Sequence, residues 1–187
     1  MKTNIRYKLT KQDLTTYNDT KWVLNEWKET SGLEDKLCTS SWLHCYTSPL
    51  LAILLNPIHA NITNPKLFKC EVEGKYLGDN GLKEGWTRMR IIEEMEVPQL
   101  SEINKIAFGI LCALEVYKDK KWATWANNWL ENKDRSKESA AAYYSANAAA
   151  AARYAANAAY AANAAYYAAA SANIDLIKLA EKAMEIK

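Results

Sequence analysis

The sequence predicts an α+β protein: a small, twisted, mainly antiparallel sheet with packed helices, followed by a long Ala-rich C-terminal helix. Three observations predict it. Short stretches alternate apolar and polar residues between Ile5 and Val97, helix-spaced apolar residues run from Ile103 to Trp129, and alanine dominates from Ser139 to Asn173. Period-two alternation marks half-buried strands, and 3.6-residue spacing marks amphipathic helices.

The first segment, residues 1–98, is expected to be a β-rich head with one buried helix. Ile5, Tyr7 and Leu9 alternate with Arg6 and Lys8, which reads as a half-buried strand. Asp13 and Asn18-Asp19 punctuate turns. Lys21 to Lys28 alternates again through Trp22 and Leu24, and Thr30-Ser31-Gly32 opens a loop. A short strand through Trp42, Leu43, His44 and Cys45 leads into Tyr46-Thr47-Ser48. Pro49 suits the first turn of a helix and Ser48 its cap. Leu50, Leu51, Ile53, Leu54 and Leu55 bury that helix, and Pro57 ends it. His59 falls in a polar connection and reads as a surface residue. Phe68, Cys70 and Val72 define one strand, with Gly74 at a bulge or its end and a turn over Gly78–Gly81. A further strand follows from Trp86 to Val97, in which Arg88 and Arg90 share a face. They can bind an anion bidentately, or pair with Glu71 and Glu73 on the neighbouring strand.

Residues 99–134 form a helical packing segment. Ser101 caps a helix carrying Ile103, Ile106, Ala107, Ile110, Leu111 and Leu114. That spacing runs through Tyr117, and Trp122, Trp125 and Trp129 make a second helical stripe, so helix is expected over residues 101–130. Residues 135–187 form an Ala/Asn/Tyr-rich segment expected to drive homo-oligomerisation. Ala has the highest helix propensity, and no Gly or Pro interrupts this segment. One unbroken rod would span roughly 75 Å at about 1.5 Å per residue. A larger side chain recurs every third residue at Asn157, Tyr160, Asn163 and Tyr166, so the ridge winds around the helix. Alanine permits close approach of helix axes, and Tyr144, Tyr154, Tyr160, Tyr166 and Tyr167 are the candidate oligomer contacts. Residues 174–186 return to ordinary amphipathic spacing through Leu176, Leu179, Ala180 and Ala183.

Composition bounds the function. The chain has 187 residues and a formal charge of +2, which argues against a general polyanion binder. The Ala-rich stretch carries one cation, Arg153, too few for a nucleic-acid polymer. Recurrent Asn argues against a membrane span, and the start of the chain lacks a signal-peptide pattern, so a cytoplasmic setting is expected. Cys38, Cys45, Cys70 and Cys112 have no zinc spacing. No metal or cofactor is expected. Chemistry is expected at the strand–turn–helix around His44, Tyr46, Thr47 and Ser48, where helix N–H groups suit an anion. Arg6, Lys8, Trp42 and Arg88 complete the candidate ligand set. Equally, Thr47 and Ser48 can cap a core helix while His44 is a satisfied strand residue.

Cys38 and the run Trp42-Leu43-His44-Cys45-Tyr46-Thr47-Ser48-Pro49-Leu50 resemble the core motif of an uncharacterised family of phage and bacterial proteins: Cys, a short gap, Gly-Phe/Leu-His-Ala-Cys, two residues, Pro-Leu. Phe68 to Lys75, Thr87 to Ile92 and Trp122 to Leu130, then Lys133 to Ser136 and an Ala-rich tail, are similar to its later blocks. Trp42 and Tyr46 depart from the motif. The resemblance implies a phage origin. The polar helix N-terminus beside aromatic residues, without an acid–base pair, leads to the expectation of a non-enzymatic binder that sequesters a small anionic ligand, such as a host nucleotide signal, as a homo-oligomer. The element order is also similar to ADP-ribosyltransferase folds. That implies an alternative, an enzyme acting on NAD, with Thr47-Ser48 at the nucleotide-site turn and Glu71 or Glu73 as the carboxylate. A third alternative is a structural or protein-interaction module working through the Ala-rich helix.

Overall fold

The computed structural model describes residues 4–136 and 158–187. The chain is α+β, with a small antiparallel sheet and packed helices. It divides into two compact units, one ending at Pro98 and the other beginning at Gln99.

The first unit is built on five strands: β1 (Asn4–Thr10), β2 (Lys28–Glu29), β3 (Leu43–Cys45), β4 (Lys66–Asp79) and β5 (Lys83–Met95). The sheet order is β1-β4-β5-β2, and β3 also pairs with β5. All pairings are antiparallel. A bridge between Tyr7 and Tyr46 joins β1 back to the end of β3. Tyr7 N–H donates to the Tyr46 carbonyl at 2.9 Å, and Tyr46 N–H donates to the Tyr7 carbonyl at 2.8 Å. Strands β1, β4, β5 and β3 therefore form a closed ring, which satisfies edges that would otherwise be open to pairing. The apolar cluster comprises Trp22, Leu43, Cys45, Phe68, Cys70, Val72, Trp86, Met89 and Ile91, all buried.

Local chemistry explains the long β4–β5 hairpin. Asn80 and Gly81 take left-handed backbone conformations, and Leu82 N–H donates to the Asp79 carbonyl at 2.7 Å, the geometry a tight hairpin turn needs. The register shifts between Glu73 and Tyr76. Gly74 sits in that bulge at φ +88°, and a Cβ there would lie 2.3 Å from Thr87 Oγ1, so only glycine fits. Helix α1 (Pro49–Leu55) begins as the sequence predicts: Pro49 opens it, and the Ser48 hydroxyl accepts a hydrogen bond from Leu50 N–H at 3.2 Å. The strand expected over residues 21–28 is reduced to Lys28–Glu29. Trp22 does not sit in a ladder; it is inserted, fully buried, from a looped segment.

The second unit contains α2 (Glu102–Val116), α3 (Lys120–Leu130), α4 (Ala158–Ser171) and α5 (Leu176–Met184). The helix expected to run from 101 to 130 is two helices, because Asp119 caps a new one by accepting from Trp122 N–H at 2.8 Å. Trp122, Trp125, Ala126 and Trp129 form the buried stripe of α3. Both α4 and α5 pack on α2. Ala165, Ala168 and Ala169 are buried on α4. A single rod to the C-terminus does not occur. Helix α4 stops at Ser171 and Asp175 caps α5, accepting from Lys178 N–H at 3.1 Å; a capping side chain outcompetes continued helix there. Tyr144 and Tyr154 lie outside the described residues, Tyr160 falls within α4, and Tyr166 and Tyr167 are exposed on it.

Asn104 ties this unit together. Its Oδ1 accepts from Ser101 N–H and its own N–H donates to the Ser101 hydroxyl, closing a capping box. Its Nδ2 donates to the carbonyls of Ala183 at 2.9 Å and Ile186 at 3.1 Å. One buried side chain thus serves the start of α2 and the end of α5. Asn104→Ala should destabilise the protein by about 2–3 kcal/mol, since it leaves buried carbonyls and an N–H unpaired; urea unfolding of the variant measures this.

Candidate functional site

The closed ring decides where the candidate residues of the head go. Lys8 is paired with Phe68, and Arg6 with Cys70, across β1 and β4. Cross-strand partners share a face, so both cations project to the side of the apolar cluster. Ile5, expected on the buried face, is 37% exposed, while Lys8 is only 7% exposed. Alternation along β1 names two faces but cannot say which one the ring encloses.

Lys8 Nζ donates to the His44 carbonyl at 2.7 Å and lies 4.8 Å from the centre of the Trp22 ring. Cys45 and Cys70 lie close to it, and burial lowers its pKa. No carboxylate among the described residues forms an ion pair with it. Arg6, by contrast, has a partner. Its Nε and a second guanidinium nitrogen donate to the two oxygens of Glu84, which also accepts from Trp86 Nε1 at 2.9 Å. Glu84 is buried. Its inward placement is not legible in the local sequence, because the register Cys45↔Glu84 that carries it inward depends on pairing with a distant strand.

The turn residues are largely engaged in holding the head together. His44 Nε2 bonds to the Leu37 carbonyl at 2.5 Å, and burial pushes its pKa down to about 4. Tyr46 is buried, with its phenol pKa raised by burial. Its ring stacks on His59, centroids 5.8 Å apart. His59 is therefore not the surface residue its polar neighbours suggest. Burial, with Lys83 and His44 nearby, lowers its pKa to about 3, and its buried Nδ1 has no hydrogen-bond partner among the described residues. Ser48 caps α1 and Thr47 is half-buried. Trp42 Nε1 donates to the Glu34 carbonyl at 2.9 Å.

Arg88 belongs to a different cluster. It pairs with Glu73 and Glu29, while Arg90 pairs with Glu71. Both guanidinium groups stack over Trp27, at 4.1 and 4.7 Å from the ring centre. Of the two roles open to these arginines in the sequence, the structure displays the cross-strand one. The structure thus brings Lys8 to the His44 carbonyl across the seam between β1 and β3, with the Tyr7 and Tyr46 side chains on the other face, and leaves Arg88 with the Trp27 cluster.

Cys45, Cys70 and Cys112 are buried free thiols and Cys38 is exposed. Lys83 Nζ lies 3.1 Å from the Cys38 sulfur. Among the described residues no group of three or more His, Cys, Asp or Glu side chains is placed to hold a metal ion, and no helix is long and apolar enough to cross a membrane. No protein-family model matches the chain, and no curated protein or solved structure matches it.

The two histidines fix an acid dependence. Both are half-buried and held in the neutral form, with folded pKa values of about 4 and about 3, against about 6.5 when unfolded. The unfolded chain binds protons first, so stability is full above about pH 6.5 and declines as pH falls toward the folded values. The protein should lose about 2–4 kcal/mol between pH 7 and pH 5. Urea midpoints at the two pH values measure the loss, and His59→Phe should remove roughly half of it.

Proposed function

We propose that the head is a non-enzymatic binding module for a small anionic ligand, with Lys8 as its charge partner. One observation carries this reading: a buried ammonium that has a carbonyl and an aromatic face for company but no carboxylate. A buried charge is costly unless paired, and an anion beside Lys8 offsets that cost. Trp22 lies against Lys8 and offers a flat surface to a ring-bearing anion. The ligand class proposed is a nucleotide signal of host defence, which a phage-encoded protein in the host cytoplasm would sequester. Glu71 and Glu73, the carboxylates an ADP-ribosyltransferase would use, are held by Arg90 and Arg88, which favours binding over NAD chemistry.

A homo-oligomer is the second part of the proposal. Tyr166 and Tyr167 stand 42% and 69% exposed on α4 and pack edge to face at 5.6 Å. Exposed paired aromatics of this kind are enriched at protein interfaces.

Calorimetry at low ionic strength, with cyclic mononucleotides, cyclic dinucleotides and ADP-ribose, tests the ligand reading. Binding to at least one of these is expected, with affinity reduced more than tenfold in Lys8→Met. That variant should still fold, because an apolar chain of similar length replaces the buried charge. Silence of the folded protein across the whole panel would sink the reading.

A further inference from the structure

Residues 11–24 leave β1, loop over Lys8 and return toward β2, and their hydrogen bonds are almost all internal. Lys11 N–H donates to the Thr15 carbonyl at 2.8 Å, Leu14 N–H to Lys11 at 3.1 Å, Thr16 N–H to Thr20 at 3.0 Å and Trp22 N–H to Leu14 at 2.8 Å. Asp13 Oδ1 accepts from both the N–H and the hydroxyl of Thr15. Trp22 Nε1 donates to the Thr16 hydroxyl at 3.1 Å. The hydrogen bonds that leave the segment are few: an exposed contact from Gln12 Nε2 to the Asn64 carbonyl, and two local ones at its ends, from the Thr10 hydroxyl to the Lys11 carbonyl at 2.9 Å and from Glu26 N–H to the Val23 carbonyl at 3.3 Å. At its end, Asn25 N–H donates to the Ile91 carbonyl at 2.8 Å.

Apolar contact does the rest of the anchoring. Trp22 is 1% exposed, and Leu14 packs against the cluster. Leu14 does so in a left-handed conformation, φ +63°, which disfavours any residue with a Cβ. Asn18, Asp19 and Asn25 are also left-handed. A segment bonded to itself, strained at one apolar anchor and bounded by a left-handed Asn has the attributes of a unit that opens locally.

We propose that residues 11–24 are a plug, hinged at Lys11 and Asn25, that lifts as a unit to admit an anion to Lys8. In the closed form the Trp22 ring is the partner of the Lys8 ammonium. In the open form the ligand's negative charge takes that place. The proposal rests on the reading of Lys8 as the charge partner, but the opening can be measured without any ligand.

The test is acetylation of the native full-length protein by an amine-reactive ester at rising urea concentrations below the unfolding transition, followed at Lys8 by mass spectrometry. Lys8 should acetylate at least tenfold faster than global unfolding allows, at a rate nearly independent of urea. Thr16→Ala, which removes the Trp22 Nε1 acceptor, should raise that rate about threefold or more while leaving the acetylation of Lys105 in the helical unit unchanged. Acetylation of Lys8 only along the urea dependence of global unfolding would overturn the plug. Should Thr16→Ala not fold, the wild-type urea series decides alone. Inorganic pyrophosphate and a cyclic dinucleotide form separate arms. Slower Lys8 acetylation with either supports both readings. Urea-independent acetylation that neither compound slows retains the plug and removes the anion site.

Discussion

The head depends on the bridge between Tyr7 and Tyr46. Two backbone hydrogen bonds close β1 onto β3, and that closure turns an open sheet into a ring. Once the ring is closed, one face of β1 is interior, and Lys8 has to find partners there. It finds the His44 carbonyl and the Trp22 ring. Buried polar groups must be bonded, and the same closure makes Glu84 reach for Arg6 and Trp86. The polar interior is a consequence of topology more than of composition.

Much of this fold was legible in the sequence, and the legible part is local. The Ser48-Pro49 start of α1, the Gly74 bulge and the pairing of Arg88 and Arg90 with Glu73 and Glu71 follow from residues near one another or from simple alternation. What was not legible depends on distant contacts. Nothing near Ile5 reveals that it will be exposed while Leu9 on the same face is buried and Lys8 on the other is enclosed, because the Tyr7–Tyr46 bridge joins segments far apart in sequence. His59 sits among polar residues, yet it is half-buried with its ring stacked on Tyr46. Trp22 alternates with its neighbours as a strand residue would, yet it serves a looped segment. Of the candidate site, Lys8 meets the His44 carbonyl, Tyr46 stacks on His59 instead, and Arg88 answers to Trp27 and its own carboxylates.

The helical unit uses a different currency. Alanine on α4 brings that helix against α2 within the same chain, so the close approach that small side chains permit is used internally along this stretch. Asn104 then joins the first turn of α2 to the last carbonyls of α5. Helix propensity supplies the elements, and a single amide supplies their register. Propensity alone would have continued α4 through Asp175, where a side-chain cap starts a new helix.

The uneven distribution of the thiols has a practical consequence. Three are enclosed and Cys38 alone faces solvent, in the loop whose Leu37 carbonyl holds His44. A maleimide dye would therefore attach at one native position, without any substitution, next to the segment that carries the histidine. Energy transfer from the head's tryptophans to such a dye would give a spectroscopic ruler for motions of the molecule in solution.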